Sequence, residues 1–438
     1  MYDHTMKQMI YSCAIIAMVL LLGACEKMEL RPHATITLAP EVIIPATLSN
    51  TVVTNDTITF LNLSTGHTLK RSAAETIDVD HGLYHCTYHA DVAYDEEGKR
   101  TMGILKTTLE NVEIDGEMST LRFEPFLIKS QDDFIIEEIF FTGTLRASGR
   151  QYYGDSYVKI FNNTDKVLYA DGITLLESKF LNVSRYNYTP DIKNDTMTVH
   201  AIYRIPGSGK EHPVQPGESL ILCDTGIDHR AANPNSVDHS ACDFEWYDIS
   251  TAPSHMDIDS ETVPNLDKWY CYTLSFFVLH NRGFRSYALA RIPEEITREQ
   301  YLKDYLYWYE YDIVCAAGTF PMTQSSYKIP NDWIVDGVNC AVQAEWEWNI
   351  LPPSIDGGWT HCGTTDHDKT RYFKSIRRKL LYVEPDGRRV LKDTNNSTED
   401  FNGECVPSVI EQQHSSINAQ GDKATQITYD GVNPVKNQ

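Results

Sequence analysis

Between residues 34 and 130 apolar and polar positions alternate along the chain, interrupted by turn-forming residues. The segments ATITLAP from Ala34, NTVVTNDTITFLNL from Asn50, GLYHCTYHADVAY from Gly82, TTLENVEI from Thr107 and STLRFEPFLI from Ser119 all follow this pattern. Successive side chains of an extended strand point to opposite faces, so a period of two describes a strand buried on one side. Short strands at this spacing, with almost no helical periodicity, predict a small antiparallel β-sandwich over 34–130.

A second unit is expected over 131–411. Phe134–Phe140, Ser156–Asn163, Leu168–Leu175, Tyr203–Gly207 and Val214–Leu222 read as strands, with turns at Asn162-Asn163 and Pro216-Gly217. Residues 225–328 read as an insertion whose one clear helix runs from Pro293 to Tyr309. Acidic Glu294 and Glu295 open that helix, and Tyr301, Tyr305 and Trp308 share one face. Ile329–Val338, Ser375–Lys379 and Asp393–Phe401 continue the unit, and 412–438 reads as a polar tail. The order of these segments over 132–224 and 329–410 resembles the lamin-tail domain, an immunoglobulin-like sandwich. The first unit resembles transthyretin-like or immunoglobulin-like modules of secreted bacterial proteins. The expected fold class is mainly β: a small sandwich, then a lamin-tail-like sandwich with a long insertion containing a short helix. Resemblance at the level of fold carries no function.

The first residues bear on location. Residues 9–24 are apolar but too few for a comfortable membrane span, and they end at Leu22-Gly23-Ala24-Cys25. Small residues before a Cys at the end of an apolar run resemble the lipobox of bacterial lipoproteins. That resemblance implies cleavage of 1–24, acylation of Cys25 and a short tether over 25–33. Several acyl chains hold a protein to a membrane where one does not, so a permanent lipid anchor is expected. The charge-rich start Cys25-Glu26-Lys27-Met28-Glu29 favours the cell surface over the periplasmic face of the outer membrane. The combination of lipobox, small sandwich and interrupted second domain is similar to a group of Gram-negative lipoproteins that accompany TonB-dependent transporters. It implies a non-enzymatic binding or accessory role in nutrient uptake. A glycan-binding or adhesion protein, or a hydrolase with its site in the insertion, are the alternatives.

Composition narrows the partners. The formal net charge of the 438-residue chain is −23, with no basic run to offset it, which argues against a nucleic-acid partner. Beyond Cys13 and Cys25 there remain Cys86, Cys223, Cys242, Cys271, Cys315, Cys340, Cys362 and Cys405, none in a C-x-x-C pair. Disulfides suit an oxidising compartment, but eight cysteines allow 105 pairings. Closeness in sequence makes Cys223 with Cys242 the first pair to consider.

No catalytic motif emerges, and no cofactor is expected. There is no H-E-x-x-H, Gly154-Asp155-Ser156-Tyr157-Val158 lacks the last glycine of a nucleophile elbow, and Ile205–Lys210 lacks P-loop spacing. Asp257-Ile258-Asp259 begins like a calcium loop but lacks its sixth-position glycine. The metal candidates are His85 and His89, on one strand face opposite Tyr84, Cys86 and Tyr88, and His361 with His367 in a Gly-rich loop that also holds Cys362, Asp366 and Asp368. The ligand-binding candidates are Trp346 and Trp348, expected to alternate onto one face of a strand, and Trp359.

Overall fold

The computed structural model describes residues 35–413, apart from 97–98, 117, 130–132, 251–255, 274 and 385. The lipobox, Cys25, the tether and most of the tail lie outside the described residues. Strand makes up 46% of the chain and helix 8%, so the protein is mainly β. Among the described residues no helix is long and apolar enough to cross a membrane. The chain divides into two compact units between Leu127 and Ile128.

The first unit contains β1 (Thr35–Val42), β2 (Ser49–Asn62), β3 (Thr68–Arg71), β4 (Ile77–Asp80), β5 (Gly82–Glu96), β6 (Lys99–Ile114), β7 (Thr120–Phe123) and β8 (Phe126–Lys129). They form a three-stranded sheet, β4-β1-β7, and a five-stranded sheet, β3-β2-β5-β6-β8. Strand β1 is antiparallel to β4 and parallel to β7. Ile36, Leu38, Ile77, Val79, Leu121 and Phe123 from the small sheet share one core with Ile58, Phe60, Tyr84, Cys86, Tyr88 and Leu105 from the large one. Each sheet thus buries one face, and alternation in sequence becomes alternation in burial. Along β5, Tyr84, Cys86, Tyr88, Ala90, Val92 and Tyr94 point inward.

The second unit opens with β9 (Ile135–Phe140), β10 (Tyr157–Phe161), β11 (Leu168–Tyr169), β12 (Ile173–Ser178), β13 (Thr196–Arg204), β14 (Pro213–Val214), β15 (Ser219–Cys223) and β16 (Phe244–Glu245). There follow β17 (Asp267–Cys271), β18 (Tyr287–Arg291), β19 (Leu306–Cys315), β20 (Gly318–Pro330), β21 (Ile334–Val338), β22 (Cys340–Ala341), β23 (Thr360–His361), β24 (Ser375–Arg378), β25 (Leu380–Val383), β26 (Arg389–Leu391) and β27 (Phe401–Cys405). A six-stranded sheet runs β16-β15-β10-β9-β24-β27 and a seven-stranded one β19-β20-β13-β12-β18-β21, with β17 also paired to β13. Ile136, Ile139, Val158, Ile160, Leu222 and Ile376 of the first meet Ile173, Leu175, Ala201, Tyr203, Tyr287 and Leu289 of the second.

The seven-stranded sheet is covered on its other face as well. Leu176, Val199, Ile202, Ala288 and Ala290 point away from the first sheet into a second core with Phe180, Tyr301, Tyr307, Tyr309, Trp348 and Leu351. All six residues of β12 are therefore buried, a continuous pattern that follows when both faces of a strand are packed.

One element differs from the reading of the sequence. The helix spans only Arg298–Asp304, capped by the Thr297 side chain, which accepts from the Gln300 backbone N–H. It stops because the following residues Leu306-Tyr307-Trp308-Tyr309-Glu310-Tyr311 have a period of two: Tyr307 and Tyr309 are buried, Leu306, Trp308 and Glu310 exposed. Aromatic residues at that period favour a strand, and Trp308 consequently faces solvent instead of sharing a helix face with Tyr301 and Tyr305. The segment read as an insertion, 225–328, contributes strands to the sheets of this unit. Within them β17, β18, β19 and β20 lie in the same sheet as β12 and β13, and β18 pairs directly with β12.

A buried ion cluster joins the two sheets of this unit. Arg378, on β24, has a side chain only 1% exposed. Its Nε donates to the Ile136 carbonyl on β9 at 2.7 Å, and its Nη2 to Asp336 Oδ2 on β21 at 2.7 Å. Its Nη1 donates to Asp393 Oδ1 at 2.9 Å and lies 3.8 Å from Asp400 Oδ2. Asp336 Oδ2 also accepts the Ile136 backbone N–H at 2.6 Å. Burial works against the guanidinium charge, and the three carboxylates outweigh it and hold Arg378 above its ordinary value. Burial pushes Asp336 up to about 7, although Arg378 pulls it back. Removing one partner from such a cluster strands the others without solvent, at a cost of roughly 3–5 kcal/mol. Arg378→Ala is therefore expected to lower the stability of the second unit by about that amount. Urea unfolding that finds a loss under about 1 kcal/mol would show that the cluster does not hold the sheets together.

Candidate functional site

The aromatic side of β19 makes one wall of a pocket, and the loop between β12 and β13 makes the rest. Tyr307, Tyr309 and Tyr311 project from one face of β19 at the strand period. The loop lies against the edge of that strand: the Thr189 N–H donates to the Glu310 carbonyl at 2.9 Å and the Glu310 N–H returns to the Thr189 carbonyl at 3.0 Å. Tyr307 Oη donates to the Pro190 carbonyl at 2.5 Å. These bonds bring Tyr186 and Tyr188 onto the β19 aromatics. Tyr188 stacks on Phe180 with centroids 3.8 Å apart and planes 8° from parallel. It meets Tyr309 edge-on at 5.6 Å, and Tyr186 packs on Tyr311 at 4.8 Å. Trp348 closes the cluster 6.3 Å from both Phe180 and Tyr188, its Nε1 donating to the Leu181 and Ser184 carbonyls.

The pocket has a volume of about 140 Å³ and is lined by Phe180, Tyr188, Thr198, Tyr307 and Trp348, with Arg185, Asp191 and Lys193 among the remaining walls. By volume alone, a cavity of about this size accommodates one benzene ring. Thr198 Oγ1 is buried here with no protein partner. Two cations overlook the Trp348 ring, the Arg185 guanidinium at 5.7 Å and Lys193 Nζ at 5.4 Å. Among the described residues neither cation forms a salt bridge. Burial lowers the Lys193 pKa, Arg185 lowers it further, and the Asp191 carboxylate partly opposes them. Burial likewise raises the phenols of Tyr188 and Tyr309, and Tyr307 to about 12, so all three stay neutral hydrogen-bond donors. The site therefore offers ring faces and the charges of Arg185, Lys193 and Asp191, while Tyr307 and Tyr309 already donate to the Pro190 carbonyl and Gln324 Oε1; it holds no paired carboxylates or activated nucleophile. Ser156, of the incomplete elbow motif, is buried and donates to Asp224 Oδ2 at 3.3 Å.

The three tryptophans expected to bind ligand do not share a face. Residues 346–349 are irregular, not a strand, and follow a turn at 343–345. Trp348 is buried in the pocket wall. Trp346 is 40% exposed and stacks on Trp359, with centroids at 5.5 Å and planes 8° from parallel. The histidine candidates also separate. His85 and His89 share the less buried face of β5, opposite Leu61 and Thr57. His367 is exposed and lies 3.3 Å from Asp366, while His361 is half-buried beside Trp359. Among the described residues none of the four belongs to a group of three side chains close enough to share a metal ion. Sequence reading missed Arg185, Tyr186, Tyr188, Lys193, Tyr307, Tyr309 and Tyr311. The available signal was the alternation of tyrosines in Tyr186-Asn187-Tyr188 and again from Tyr307 to Tyr311.

Residues 215–408 match the model of a family described as "Protein of unknown function (DUF4876)". No curated protein matches the chain. The fold is similar to the crystal structure of a DUF4876 family protein from Bacteroides thetaiotaomicron VPI-5482, with a TM-score of 0.55 and 20% sequence identity. That similarity covers 88% of this chain and 99% of the other.

The different surroundings of the tryptophans have a measurable consequence. Trp348→Ala empties a packed wall and should cost about 3–5 kcal/mol. Trp346→Ala forfeits one exposed stacking contact, worth about 1 kcal/mol. Equal losses in denaturant titrations of the two variants would contradict this assignment.

Proposed function

We propose that this chain, which carries a DUF4876 family domain, is a lipid-anchored binding protein of the outer membrane with no catalytic activity of its own. In this reading it is an accessory to a TonB-dependent transporter in nutrient uptake, held through Cys25 and displayed on the cell surface. The pocket of Phe180, Tyr188, Tyr307 and Trp348 takes a single ring of the ligand, and Arg185 and Lys193 favour a negative group attached to it. The observation that carries the proposal is the pocket itself. It pairs apolar stacking surface with two cations that have no salt-bridge partner among the described residues, a combination suited to retaining a ligand. The lipobox-like Leu22–Cys25 segment supports the anchor, and the similarity of sequence organisation to transporter-associated lipoproteins supports the partner.

A second reading rests on the parallel Trp346–Trp359 pair, whose partly exposed rings suit stacking on a sugar. Calorimetry with benzoate, 4-hydroxybenzoate and glucose separates the two. The pocket reading expects binding of a ring carboxylate that weakens at least about tenfold, or 1.4 kcal/mol, in Tyr188→Ala. It expects no change in Trp346→Ala. If only glucose binds, and Trp346→Ala abolishes it, the sugar-stacking reading replaces it; if none of the probes binds, the proposed ligand class is wrong.

The partner is tested independently. A tagged chain extracted from native membranes in mild detergent should bring down a TonB-dependent transporter in stoichiometric amount, identified by mass spectrometry. Repeated recovery of the lipoprotein alone would overturn the accessory role.

A further inference from the structure

Away from the aromatic pocket, the end of β15 and the loop before β16 bring together two thiols and an imidazole. Cys223 ends β15, and the turn His239-Ser240-Ala241-Cys242 is closed by the Cys242 N–H donating to the His239 carbonyl at 3.0 Å. That turn places the two side chains of an H-x-x-C pair beside Cys223. A sulfur from each cysteine and a ring nitrogen of His239 lie within 4.8 Å of one another. Neither ring nitrogen of His239 has a hydrogen-bond partner, and the two cysteines form no disulfide, their thiols being engaged only with each other.

The histidine is the telling member. His239 has no exposed surface, and an unpaired buried polar atom costs roughly 1–3 kcal/mol. Its neighbour His229 lies 5.2 Å away, centroid to centroid, in the same buried pocket and is fully satisfied. His229 Nε2 bonds the Thr225 carbonyl at 2.9 Å and Nδ1 bonds Tyr152 Oη at 3.0 Å. Two adjacent buried imidazoles, one with both nitrogens engaged and one with neither, indicate that the second has a partner of another kind. The side chains of Asp171, Glu211 and His212 also converge within 4.8 Å of one another. There the Asp171 carboxylate already accepts the backbone N–H groups of Gly209, Glu211 and His212, so its geometry is explained without an ion.

We propose that Cys223, His239 and Cys242 form a zinc site of the Cys2His class, with a fourth position open to water. Two thiolates and a neutral imidazole are soft and borderline donors suited to Zn²⁺. Their two negative charges cancel those of the ion, which matters in a site where Cys223 and His239 are fully buried. Binding releases the two thiol protons to solvent and changes no oxidation state. Cys242, half-buried, is the side from which the ion enters. The competing chemistry for the same sulfurs is a Cys223–Cys242 disulfide, which would leave both His239 nitrogens unsatisfied.

The test uses the full chain, isolated without added reductant or metal. One zinc per chain by elemental analysis is expected, with Cys223 and Cys242 not linked in the intact-mass and peptide spectra. After removal of that zinc, Co²⁺ alone should bind in a one-to-one ratio. It should give a sulfur-to-cobalt charge-transfer band and the intense visible bands of a tetrahedral site. His239→Ala should weaken cobalt binding at least about tenfold, Cys223→Ser should abolish the charge-transfer band, and Cys315→Ser, at an exposed hairpin tip, should change neither. If His239→Ala fails to fold, chelator competition on the unaltered chain reads the affinity directly. A Cys223–Cys242 disulfide in the isolated protein, or reduced thiols that give no charge-transfer band with cobalt, overturns the proposal.

Discussion

The second unit depends on a charge that it keeps out of water. Arg378 sits where the two sheets meet, and four of its five N–H donors have assigned partners on β9, on β21 and in the segment before β27. A salt bridge at this depth contributes little net stability compared with an apolar substitute, because desolvation cancels much of the attraction. What it supplies here is definition. Apolar layers can slide past one another at small cost, whereas a guanidinium that must find a carbonyl on one sheet and a carboxylate on the other admits one arrangement. The Ile136 N–H and carbonyl both belong to the cluster, the first bound to Asp336 and the second to Arg378. The register of β9 is thereby tied to the position of β21.

Once the sheets are fixed, the outer face of the seven-stranded sheet becomes a rigid floor. Leu176, Val199 and Ile202 belong to it, and the aromatic pocket and the helix Arg298–Asp304 are built on it. A loop carries the charges of Arg185 and Lys193, while a strand sets the spacing of Tyr307, Tyr309 and Tyr311. Rigid spacing with loop-borne charge is a common division in binding proteins.

The first unit was legible because each of its sheets has one wet face. Tyr84, Cys86 and Tyr88 inward, with His85, Thr87 and His89 on the opposite side, is the pattern that a period of two predicts. The second unit was harder for a physical reason. Strands such as β9 and β12 are buried on both faces, so their sequences lose the alternation that marks orientation. The helix was overextended because Tyr301, Tyr305 and Trp308 fit a helical spacing while Tyr307, Tyr309 and Tyr311 fit a strand. Tertiary packing against Tyr188 and Phe180 favours the strand, and that contact is invisible to local periodicity. Trp346 and Trp348 diverge because alternation implies a shared face only in an extended chain. The convergence of Cys223 with His239 and Cys242 depends on a turn and on β15 meeting β16 in parallel, of which sequence displays only the closeness of the two cysteines.

The loop that pairs Thr189 with Glu310 occupies the free edge of β19. An uncovered strand edge is a template for other chains, and proteins generally blunt it. Here the guard of that edge and the wall of the pocket are one stretch of backbone. Remodelling this loop would also unzip the selvedge of the sheet, so the shape of the pocket and resistance to self-association are set by the same residues.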